Sequence, residues 1–194
     1  MSENSQKRYY SRVPGIMASV MTGSFLLCCL SAAAYYSLQR EWMLSCAITF
    51  GVTAYHLMIR FLSPVILMAV FRRKYDCRSR WFSQKKWEPG LYGFLKVKEW
   101  KEKASVFTYD PSEFSMEIHT LPEIAENMCH AEAVHELIVV LSFTSLLFAF
   151  PFGAFPVFLV TAVLAALMDM QFVIMQRYNR PRILRLMERR GIRK

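Results

Sequence analysis

A chain of 194 residues has room for one domain, and its 24 lysines and arginines against 15 acidic residues give a formal net charge of +9. More than half of the residues are hydrophobic, and they come in long blocks with the charges in separate blocks, which argues against an ordinary water-soluble globule. The five cysteines (Cys28, Cys29, Cys46, Cys77, Cys129) form no CxxC pair, so neither a disulfide framework nor a zinc knuckle is expected.

Three basic residues, Lys7, Arg8 and Arg12, precede a run over 13–39 that carries no charge. A bilayer core takes about 20 apolar residues in a helix, so this run predicts a first span near 14–38. A cleaved signal peptide would share the basic start and the small residues Ala32, Ala33 and Ala34. Its apolar region would be only about 7–15 residues, however, and the longer run favours a retained helix. The apolar stretch 42–59 predicts a second span near 42–62. Arg60 interrupts it, 61–71 continues apolar across Pro64, and the piece 63–71 either extends the span or lies along the interface after a bend.

The connection 72–131 is too long to be structureless. Trp81, Phe82, Trp87, Tyr92 and Trp100 alternate there with Lys85, Lys86, Lys96, Lys98, Lys101 and Lys103. That mixture suits an interfacial helical segment, which either rests on lipid headgroups or closes over an acyl or phosphate-bearing substrate. Pro89-Gly90 divides it, and 105–115 reads as a loop. A helix then starts at Pro122, with Glu123 and Glu126 in its early turns. It runs into a third span near 134–151, the Pro151-Phe152-Gly153-Ala154-Phe155-Pro156 segment makes a tight hairpin, and a fourth span occupies 156–176 before a basic tail over 177–194. The predicted fold is all-α: a single polytopic membrane domain with four transmembrane helices and a helical loop at 72–131.

Basic residues mark the cytoplasmic side of a membrane protein. Residues 72–131 hold eleven and 177–194 hold eight, whereas the connection between the first two spans holds only Arg40 and the hairpin holds none. Both termini and the long loop are therefore expected in the cytoplasm, in a cell membrane whose anionic lipids match the charge. Nucleic acid is not an expected partner, because no recognised motif accompanies the basic residues. A homo-oligomer or a partner within a biosynthetic complex is left open.

Ionisable residues within spans are expensive and point to function. His56 and Arg60 share one face of the second helix, and Glu132, His135 and Glu136 share one face where the third enters the membrane. The fourth helix carries Asp169, expected to pair with Arg60 or Arg177, and ends in Gln176, Arg177, Tyr178, Asn179, Arg180 and Arg182. The topology expects these groups at a common depth. No metal is expected: Glu132-x-x-His135 is half of a di-iron carboxylate pattern with no second half, and His130 and His135 point to different faces.

The string Gln176-Arg177-Tyr178-Asn179-Arg180-Pro181-Arg182 resembles the C-terminal signature of the glycosyl-4,4'-diaponeurosporenoate acyltransferase family. Glu88 with Lys98-x-Trp100-Lys101-x-Lys103, and Ala131-Glu132-x-x-His135, agree with the same family, so the resemblance covers roughly residues 80–190. Members attach a fatty acyl chain to the sugar of a carotenoid glycoside. His130, Glu136, Asp169 and the segment around 109–115 depart from the family's pattern, which implies a divergent relative. The resemblance implies a membrane acyltransferase with no bound cofactor, an acyl donor such as acyl-coenzyme A as co-substrate, and a lipid-linked acceptor. His135 would be the base, oriented by Glu132 or Glu136. Asn179, Arg177 and Arg180 would bind the oxyanion or the donor's phosphates. Lys98, Lys101 and Lys103 would hold an anionic group, and Trp100 would shelter the acyl chain. His56, Arg60, Glu88, Asp169, Gln176, Tyr178 and Arg182 complete the expected binding set. Rival readings are another lipid-modifying enzyme, methyltransferase-like or reductase-like, and a non-catalytic membrane adaptor or lipid-binding protein.

Overall fold

The computed structural model describes residues 12–72, 75–104 and 111–192, with the backbone alone for 102–104 and 111. Lys7, Arg8, residues 105–110 of the expected loop and the side chain of Lys103 lie outside the described residues. Among the described residues the chain is all-helical, with no strand.

Helix α1 covers Val13–Leu38 and α2 covers Glu41–Phe71. Pro64 lies inside α2, so the stretch beyond Arg60 extends the second helix. Pro64 has no N–H to donate, which leaves the carbonyl of Arg60 without its partner four residues on. Two short helices follow, α3 at Glu88–Phe94 and α4 at Val97–Ala104. Pro89 is tolerated in the first turn of α3, where its missing N–H would have no intrahelical acceptor anyway. After a single 3-10 turn at Pro111–Phe114, α5 runs over Leu121–Thr144. Thr120 and Glu123 close its start: the Glu123 carboxylate accepts the Thr120 N–H at 2.8 Å, the carboxylate half of a capping box, and the Thr120 hydroxyl at 2.9 Å.

Helix α5 continues through a 3-10 turn, Ser145–Phe148, into the single turn α6, Ala149–Phe152. Gly153 (φ 66°) and Ala154 (φ 52°) then reverse the chain into α7, Phe155–Arg189. α1, α2, the run Leu121–Phe152 and α7 are each long and apolar enough to cross a membrane, the mark of a multi-pass membrane protein. Their outward side chains agree: Leu30, Val65, Val140 and Phe150 are 64–87 % exposed, a surface suited to lipid rather than water.

The chain forms two compact units. The apolar unit consists of Pro14–Val65 and Leu137–Asp169. Within it Gly51 lets α1 approach α2, because a Cβ at that position would stand 3.2 Å from the Cys28 sulfur. Tyr55 donates to the Leu141 carbonyl at 2.9 Å and sets its ring edge-on to Phe148. The polar unit includes Ile66–Glu136 and the chain from Met170 onward. Its apolar centre is Leu121, Ala125 and Met187, with Cys77, Ile183 and Leu184 packed around them.

Candidate functional site

The polar unit is organised by two arginines. Arg177 and Arg180 stand three apart on α7 and so share a face. Arg177 donates to Glu132 at 2.6 Å and to Glu88 at 2.6 and 3.1 Å, while Arg180 donates to the other oxygen of Glu132. Glu132 is 0 % exposed, Arg180 1 % and Glu88 2 %, and with the partly exposed Arg177 the two carboxylates and two guanidiniums neutralise one another. Charges buried to this degree persist only when paired and hydrogen-bonded.

The same arginines gather the segment before α3. Arg177 donates to the carbonyls of Trp81 (3.2 Å) and Ser83 (3.3 Å), and Arg180 donates to the Phe82 carbonyl with its guanidinium over the Phe82 ring. Three consecutive carbonyls are therefore held by side chains from α7. Glu88 and Tyr92, four apart on α3, make a further bond of 2.7 Å in which the phenol donates. Burial, followed by the Glu88 carboxylate, pushes the Tyr92 phenol well above its ordinary pKa, so this hydroxyl stays a donor.

Beside this cluster lies a cavity of about 500 Å³ lined by Trp81, Trp87, Arg80, Lys85 and the acidic groups of Glu88 and Glu136, with Arg177 at its wall. Glu136 accepts a 2.9 Å hydrogen bond from the Trp81 indole. One residue earlier on α5, half-buried His135 lies flat against Phe172, ring centroids 4.7 Å apart and planes 14° apart. A second cavity, of about 440 Å³, is lined among others by Lys96, Lys98, Tyr178, Arg182 and Arg185. Tyr178 carries Arg182 over its ring at 4.2 Å and Lys101 at 5.2 Å, and Asn179 accepts from Lys101 at 3.2 Å.

Glu88, Glu132, Arg177 and Arg180 thus come together, and Lys101, Tyr178, Asn179 and Arg182 form a neighbouring set. Two of the expected residues are already engaged by protein groups. Glu132, offered as the group orienting His135, has both oxygens on arginines. Arg180, offered as an oxyanion or phosphate ligand, is buried between Glu132 and Phe82, whereas Arg177 reaches a cavity wall. Trp100 turns its indole N–H to the Leu95 carbonyl at 2.9 Å, and Gln176 is buried. His56, Arg60 and Asp169 belong to the apolar unit, where Asp169 pairs with Arg60 rather than Arg177. The Lys103 side chain lies outside the described residues. The sequence reading missed Tyr92, Phe172 and the carbonyls of 81–83 as parts of the site. Only the four-residue spacing of Glu88 and Tyr92 signalled one of them.

No curated protein and no solved structure matches the chain. A family described as glycosyl-4,4'-diaponeurosporenoate acyltransferase matches residues 78–189, a segment that takes in both cavities' α3 and α7 walls, His135 and the whole buried charge cluster. That segment is more than half of the chain, and the chain therefore belongs to the glycosyl-4,4'-diaponeurosporenoate acyltransferase family.

Proposed function

We propose that this protein is a membrane acyltransferase that moves a fatty acyl group onto a hydroxyl of a glycolipid or isoprenoid-type lipid at the cytoplasmic face of the cell membrane, both termini being cytoplasmic. Family membership supports the reaction class and makes a carotenoid glycoside the first acceptor to test. The observation that carries the reading is the 500 Å³ cavity, where exposed Trp81 and Trp87 offer apolar faces beside the carboxylate of Glu136 and the guanidinium of Arg177. An amphiphilic acceptor with a sugar headgroup needs both kinds of surface.

In this reading His135 takes the proton from the attacking hydroxyl, its ring held by Phe172. The hydroxyl oxygen bonds to the acyl carbon, the donor's leaving group departs with the electrons of the broken bond, and His135 returns the proton to it. Arg177, at the cavity wall, acts on the developing oxyanion through its charge, because its five N–H groups are engaged by Glu88, Glu132 and the carbonyls of Trp81 and Ser83. Asn179, two residues on and on another side of α7, stays with Lys101 in the donor-side set. Arg180 and Glu132 position Arg177 rather than touch substrate. Lys98, Lys101 and Lys103 remain the donor-side cations, and no bound cofactor is needed.

Lipid profiling of a strain lacking the protein tests the reading. The expected result is loss of one acyl ester, restored by the intact chain and reduced on the order of a hundredfold or more with His135→Ala. Full restoration by a folded His135→Ala chain overturns the base assignment. A change in a prenyl species instead would favour another lipid-modifying enzyme, and an unchanged lipid profile would favour the adaptor.

A further inference from the structure

The 440 Å³ groove in the polar unit has the wrong charge balance to stand empty. Its lining includes four cations, Lys96, Lys98, Arg182 and Arg185, and one carboxylate, Glu99. Among the described residues none of the four makes an ion pair, although the chain elsewhere pairs its arginines closely. Like charges crowded on one concave surface repel, and they persist where an anion enters between them.

One of the cations is held in place by its neighbours. Arg182 lies on the Tyr178 ring and donates to the Tyr178 hydroxyl at 2.7 Å and to Asn179 at 3.5 Å, which fixes its guanidinium. Lys96 sits at the junction of α3 and α4 with φ 51°, a left-handed conformation that glycine or asparagine adopts more cheaply. Its side chain lines the groove.

We infer that this groove binds a phosphate-bearing ligand through Lys96, Lys98, Arg182 and Arg185. A single carboxylate would leave most of the positive charge unmatched. A phosphate brings about −1.5 to −2 charges and three acceptor oxygens, which suits an arginine fork beside ammonium groups. The volume lies within the range of about 300–1,000 Å³ common for small-ligand sites. Two sources share this chemistry, the phosphates of an acyl-coenzyme A and the headgroup of an anionic phospholipid. The soluble source rests on the acyl-transfer reading above.

The full-length protein, purified in neutral detergent, is titrated with coenzyme A and with pyrophosphate. In parallel it is reconstituted into nanodiscs of phosphatidylcholine alone or with phosphatidylglycerol, and lipid association is read by native mass spectrometry. The Lys98→Gln/Arg185→Gln double variant should weaken binding about tenfold or more, with Lys98→Arg/Arg185→Lys restoring most of it. Binding of coenzyme A or pyrophosphate that the double variant weakens supports the groove with a soluble ligand. Phosphatidylglycerol retention alone, lost in the double variant, supports it with a headgroup. Binding to neither, or binding that the double variant leaves unchanged while its thermal unfolding is normal, overturns it. The readout involves no acyl transfer. A protein that binds phosphate but acylates nothing therefore sinks only the enzymatic reading, and one that acylates without phosphate binding sinks only the groove.

Discussion

The polar unit holds two carboxylates and two guanidiniums in one cluster, whereas among the described residues the apolar unit holds one ion pair, Arg60 with Asp169, and a histidine, His56, whose ring nitrogens find no hydrogen-bond partner. Both begin from the same local device. Arg60 and Arg177 each precede a proline by four residues, Pro64 and Pro181, so each has a carbonyl that no helical N–H reaches. The difference lies in what surrounds them. Around Arg177 the segment 81–88 supplies two carbonyls and a carboxylate, and Glu132 supplies another. Arg60 has the His56 carbonyl and Asp169. A loop rich in backbone acceptors can satisfy an arginine fully, while a bundle of continuous helices has almost no backbone acceptors to lend.

The largest effect should come from breaking the satisfied cluster. Arg180→Leu leaves Glu132 with one partner and the Phe82 carbonyl with none at that side, and removal of one partner from a buried charge network costs about 3–5 kcal/mol. That is a large part of a typical stability, so the expected outcome is a steep fall in the thermal unfolding midpoint in detergent and little monodisperse protein. Unchanged unfolding would mean that Arg180 is not the strut described.

A smaller effect is expected in the apolar unit. Asp169→Asn removes the charge partner of Arg60 but leaves its bond to the His56 carbonyl, and the Arg60 side chain is 17 % exposed against 1 % for Arg180. A loss of about 1–3 kcal/mol is expected, partly recovered by adding Arg60→Gln in a double-mutant cycle. If Asp169→Asn costs as much as Arg180→Leu, the contrast between the two units fails.

His56 carries a prediction of opposite sign. It is 7 % exposed, and both ring nitrogens are buried without a hydrogen bond. His56→Phe keeps an aromatic ring of similar breadth and removes the unsatisfied groups, so it should stabilise the protein by about 1 kcal/mol. Destabilisation, read in the same melts, would show that the ring nitrogens meet a partner in the membrane.

The contrast also explains what could be read in the sequence. The four long helices follow from uncharged runs such as 13–39, and the reversal after Phe152 follows from Gly153 between two prolines. Arg60 with Asp169 was reachable because an ionised side chain in a span must find an opposite charge. The polar cluster was harder. Glu88 and Arg177 are 89 positions apart, and no periodicity links a loop carboxylate to the end of the last helix. Glu88 entered the expected site through the family resemblance alone. The carbonyls of 81–83 were invisible because backbone acceptors carry no residue-type signal. Trp81 and Tyr92 read as headgroup aromatics because their composition suits that role equally well.

The smallest prediction probes the edge of the satisfied cluster. Tyr92→Phe removes the hydroxyl that donates to Glu88, but Glu88 keeps its two bonds from Arg177. With Tyr92 only 5 % exposed, the loss should be about 1 kcal/mol near neutral pH. The pH dependence gives this small change a signature. The phenol's folded pKa is raised above its ordinary value of about 10, so the folded state keeps a proton that the unfolded chain gives up. The contribution is therefore whole below that ordinary value and is lost as pH rises through the folded one. Stability measured on the alkaline side should fall less steeply in Tyr92→Phe than in the intact protein, because the variant has no phenol to hold neutral. Parallel slopes would mean that the phenol is neither buried nor bonded to Glu88 as described, and the cluster would then end at its arginines.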